Sequence, residues 1–133
     1  MIRLVKRLFI EPDEDPALID QMLKLTQQFG RIHLEVQNGL RSGPVEEQIV
    51  VIDKALKELP SLEREVRSLF APIAEWRRRY LGYFSEVIAT YILFCERCKT
   101  SLIENESNEA KFAMSYRKEA IRLLKEAQRN FKL

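Results

Sequence analysis

The feature that most limits how this chain folds is a set of apolar residues that recur every three or four positions, with few interruptions. Leu18, Met22, Leu25, Phe29, Ile32 and Val36 form the first such series. That spacing puts one apolar stripe on one side of a helix and predicts a helix over 16–38. Asp15 before Pro16 reads as its cap, with proline in the first turn. Gly39 and Ser42-Gly43-Pro44 end it in a turn. Val45, Ile49, Ile52, Leu56 and Leu59 then predict a second helix over 45–59, interrupted at Pro60, with Ser61 capping the next helical stretch.

From Ser61 a longer stripe runs through Leu69, Ile73, Trp76, Tyr80, Phe84, Val87, Tyr91, Cys95, Cys98 and Leu102. It passes through Pro72, where a proline removes a backbone hydrogen bond and predicts a kink or restart. Residues 87–94 are apolar nearly all round, so this is expected to be the most buried helix. Asn105-Glu106-Ser107-Asn108 reads as a turn. A last helix over 108–131 carries Ala110, Ala113, Ala120 and Ala127, small residues that allow close approach of a neighbour. Nothing alternates with the period of a strand. The expected fold is all-α: an antiparallel bundle of about four main helices with a kinked long third helix, preceded by a short N-terminal helix or arm.

Composition narrows the function classes. The 133 residues suit one domain, so residues 1–133 are read as a single bundle. A hydrophobic content of 46% supplies a core, and four Gly and five Pro are too few for a turn-rich β fold. The formal charge of +2 gives no general polyanion signal. No stretch reaches the roughly 18 apolar residues of a membrane span. The start MIRLVKRLFIEP interleaves its apolar residues with Arg and Lys and shows no small-residue cleavage site. Two cysteines three apart do not make a secreted disulfide framework, so a cytoplasmic location is expected.

Candidate chemistry starts with His33, the one histidine. A lone histidine in a four-helix bundle resembles histidine phosphotransfer domains, which implies a phosphorelay role. Those domains carry Lys three residues on and Gly four residues on. Here Val36 and Gln37 stand there, which removes both the balancing cation and the access for a partner. Cys95-Glu96-Arg97-Cys98 is a C-x-x-C inside a helix instead of at its start, where a dipole would lower a thiol pKa. Zinc needs four ligands, and the chain offers two Cys and one His. The pair is therefore expected to be buried, reduced and structural. No Glu-x-x-His pair, phosphate loop or nucleophile elbow occurs. No catalytic residue, cofactor, metal or small-molecule substrate is indicated.

Charge clusters are the remaining signals. Trp76-Arg77-Arg78-Arg79-Tyr80 is the densest, but three consecutive helix residues fan around the axis and do not all face one ligand. Arg3, Lys6 and Arg7 oppose the apolar face Met1, Leu4, Val5, Leu8 and Phe9. The last helix carries Lys118, Arg122, Lys125 and Arg129. Residues 45–65 hold six acids against three bases. Opposite patches on one body favour docking onto an acidic partner or another copy. The expectation is a non-enzymatic binding or assembly module acting through protein–protein contacts, self-association included. The named basic residues are its candidate contacts. Two alternatives are a ribonucleoprotein subunit that binds nucleic-acid backbone, and a phosphorelay component using His33.

Overall fold

A computed structural model describes residues 16–41, 43–69 and 75–131 of the chain. Four helices follow one another: α1 (Pro16–Arg41), α2 (Val45–Ser68), α3 (Glu75–Glu104) and α4 (Ser107–Asn130). Among the described residues there is no strand, and the helices pack into the all-α bundle that the stripes predict. Asp15, Pro72 and the segment with Arg3, Lys6 and Arg7 lie outside the described residues.

The stripes become the core. Met22, Leu25, Phe29, Ile32 and Val36 of α1 are buried, as are Ile52, Leu59, Leu62 and Val66 of α2. Tyr80, Phe84, Val87, Tyr91 and Cys95 of α3 line the centre. Ala113, Ala120 and Ala127 of α4 recur every seven residues and are buried, which brings α4 close against α3.

Two boundaries differ from the sequence reading. Helix α2 does not stop at Leu59 but runs through Pro60 to Ser68. Proline withholds one N–H from the ladder. Leu59, Leu62 and Val66 on either side are nevertheless all fully buried, and tertiary packing of an apolar face outweighs one missing bond. Ser61 is therefore a mid-helix residue, not a cap. The long third helix read from Ser61 is two helices: residues 61–68 belong to α2, which ends at Ser68, and α3 starts at Glu75 and carries the stripe from Trp76 to Leu102.

Tight turns set the helices antiparallel. Gly43 has φ +104, a left-handed value that suits glycine, and Gln48 Nε2 donates to its carbonyl at 3.0 Å. At the other connection Asn105 has φ 51, and the Glu106 N–H donates to the Ser101 carbonyl at 3.3 Å. That is the six-to-one bond of a Schellman-type helix end, with Asn in glycine's usual place. Both turns lie at the same end of the bundle, since α1 and α3 run the same way.

Candidate functional site: an acid-free seam between the first and last helices

Consecutive helices pack in sequence, α1 on α2, α2 on α3 and α3 on α4, and each of these contacts carries ion pairs. Arg31 binds Glu58 at 2.7 Å and Lys54 binds Glu35 at 3.4 Å, joining α1 to α2. Lys99 binds Asp53 at 2.7 Å, joining α2 to α3. Arg97 binds Glu109 at 2.9 Å, joining α3 to α4. The fourth side of the bundle differs. Helices α1 and α4 are not among the closely packed pairs, and no ion pair joins them among the described residues.

Along that side runs a seam with α3 as its floor. Its middle is a narrow cleft of about 20 Å³ between Phe29, His33, Tyr91, Ile121 and Leu124. Toward the end with both tight turns it opens into a cavity of about 380 Å³. Gln37, Leu40 and Arg41 form the α1 wall, and Phe94, Cys98 and Leu102 the floor. Ala110, Ala113, Met114 and Arg117 form the α4 wall. No acidic residue among the described residues lines either part.

The cause is the order of residues on α4. Ala110, Met114, Arg117, Ile121 and Leu124 step by four and three along the seam side. The acids of α4 lie elsewhere and are engaged: Glu109 with Arg97, Glu119 with Arg122 at 3.0 Å, and Glu126 with Arg129 at 2.8 Å. Arg117 is half-buried and makes no ion pair among the described residues, and neither does Arg41. Met114 and Ile121 on the rim are 44% and 37% exposed.

Hydrogen bonds tie α1 to the floor rather than to α4. Thr26 Oγ1 and the Tyr80 hydroxyl are partners, and His33 Nδ1 lies 2.8 Å from the Tyr91 hydroxyl. The imidazole stacks parallel to Phe29, with centroids 6.3 Å apart. Burial holds its pKa below the usual histidine range, and the nearby Arg117 cation adds to the effect. Burial likewise raises the Tyr91 phenol far above its ordinary value. His33 is thus a neutral, packed residue on the seam wall at neutral pH.

The two cysteines separate. Cys95 is fully buried, and desolvation pushes its thiol far up. Cys98 is not buried as the sequence reading expects. It is partly buried on the seam floor, its thiol pushed up to about 11 by burial. No thiolate-stabilising helix start adjoins either, since both sit deep in α3. Among the described residues, no three His, Cys, Asp or Glu side chains form a metal-sized cluster.

The arginine trio is divided as its helical fan predicts, but not all of it is solvated. Arg77 is completely buried, its guanidinium carbon 5.3 Å from the Trp76 ring centroid. Arg78 and Arg79 are exposed, and Arg79 pairs with Glu75 at 2.8 Å. Of the cations named on α4, Arg122 and Arg129 are held in pairs, while Lys118 and Lys125 are exposed without one among the described residues. Arg41 and Arg117 do not stand out in the sequence. The only signal there is Arg117's place among apolar residues on a face next to the alanine stripe. No helix among the described residues is long and apolar enough to cross a membrane. Comparison with protein-family models, curated proteins and solved structures returns no match.

Proposed function

We propose that the protein is a non-enzymatic binding and assembly module, and that the seam between α1 and α4 is its docking face for another protein. The observation that carries this reading is the asymmetry of the bundle. Three helix contacts are closed by packing and ion pairs, while the fourth leaves apolar rim residues exposed beside two arginines that have no carboxylate partner among the described residues. A face of that kind suits an amphipathic helical surface with acidic residues: apolar burial supplies affinity, and charge supplies orientation and rate.

Affinity capture from the native cell with the full chain, compared with a Met114→Asp variant, tests it. Proteins held by the wild type and lost with the variant are expected. The same set on both would remove the seam from the account.

A second reading has its own observation. Lys111, Lys118 and Lys125 recur every seven residues on the outer face of α4, exposed and outside any ion pair among the described residues. Such a stripe supports contact with a nucleic-acid backbone. Co-purifying nucleic acid, released by salt, would favour it over the first.

A further inference from the structure

We infer that the occupant of the seam is a second copy of this chain, docking through the first turns of its α2. The inference rests on the reading of the seam as a docking face and names its partner. The seam mouth offers cations and apolar surface, with no acid on its walls among the described residues. The same molecule carries the complement. Glu46 and Glu47 are exposed and make no ion pair among the described residues. They lie between Val45 and Val50 in the chain, which are 43% and 67% exposed. Acids in a first helical turn also favour the helix dipole. That does not account for two exposed valines beside them on the same short stretch.

Shape and position agree with charge. The tip of the α1–α2 hairpin is convex: Gly43 and Pro44 are exposed there, and the turn is fixed by the Gly43 backbone and the Gln48 bond to it. The seam mouth is concave. Both lie at one end of the bundle, because Arg41 is the last residue of α1 and Val45 the first of α2. A twofold axis near that end lets each copy give its tip and receive its partner's tip, so the contact closes as a dimer. Glu46 and Glu47 of one copy then face Arg41 and Arg117 of the other, with Val45 and Val50 against Met114 and Leu40.

Light scattering on the full chain over a wide range of concentration tests this, with two charge-reversed variants, E46K/E47K and R41E/R117E. The wild type is expected to reach twice the 15.7 kDa chain mass. Each variant alone should stay at the single-chain mass, with its helical circular dichroism unchanged. An equal mixture of the two should recover the doubled mass, since both contacts are charge-paired again in the mixed dimer. A wild type that stays single at every concentration overturns the inference. So does a dimer that survives either reversal, or a mixture that fails to pair. If a reversed variant loses its helicity, Val50→Ser replaces it. A tenfold or greater rise in dimer dissociation constant is expected there, and no change counts against the proposal. A monomeric protein that still captures another protein in a Met114-dependent way would sink this inference alone and leave the docking face intact.

Discussion

His33 shows what a single side chain contributes to the seam. Its ring is packed on Phe29 and bonded to Tyr91; burial, with the Arg117 cation nearby, disfavours the imidazolium in the folded protein. The unfolded histidine titrates near pH 6.5. As pH falls through that value, the unfolded chain takes up a proton that the folded chain resists, so stability drops. The urea midpoint should therefore decline more for the wild type than for His33→Gln between neutral pH and about pH 5. Parallel declines would show that His33 is solvated. Tyr91→Phe removes the hydrogen-bond partner of Nδ1 and should cost about 1 kcal/mol. Cys95→Ala should cost about 1 kcal/mol through lost packing at a fully buried site. At this scale the sequence is least informative. The C-x-x-C lies on one apolar stripe, yet the stripe does not say that Cys98 meets an open seam where Cys95 meets the core. Nor does the run of three arginines say that Arg77 is the one turned inward beside Trp76.

At the scale of the helices, periodicity is a good guide because most stripe residues end up buried and most breaks are turns. Residues 16–38 and 108–131 come within a few residues of α1 and α4. Pro60 misleads because its local chemistry says nothing of the buried neighbours on either side, Leu59, Leu62 and Val66, across which α2 continues. The glycines make the same point and can be tested. A Cβ at Gly39 would sit 2.7 Å and 2.8 Å from the two methyls of Val51 on α2. Valine in a helix has essentially one rotamer, so the methyls cannot turn away. Gly39→Ala should destabilise by about 1–3 kcal/mol. Gly30 and Gly82 are mid-helix with nothing within 4 Å of such an atom. Alanine at either should stabilise by about 0.5–1 kcal/mol by relieving glycine's helix penalty. Thermal or urea unfolding of the three variants checks both signs, and a stabilised Gly39→Ala would mean that α1 and α2 pack less closely than described.

At the scale of the whole molecule, the bundle is legible in the sequence but its open side is not. Four stripes predict four helices around one core. Which two helices fail to close depends on where Arg97, Lys99, Arg31 and Lys54 find their carboxylates, and those partners come from other helices. The sequence does record the charge opposition between residues 45–65 and the last helix, and the fold brings the acidic tip and the basic seam to one end. The central claim is that the seam is a docking face that another copy covers. Cys98, on its floor, reports this most directly through the rate of alkylation by a small maleimide in the folded protein, followed by mass spectrometry. A covered seam predicts a rate that falls as protein concentration rises, with R41E/R117E staying at the fast, dilute value throughout. A Cys98 rate independent of concentration in the wild type would contradict it.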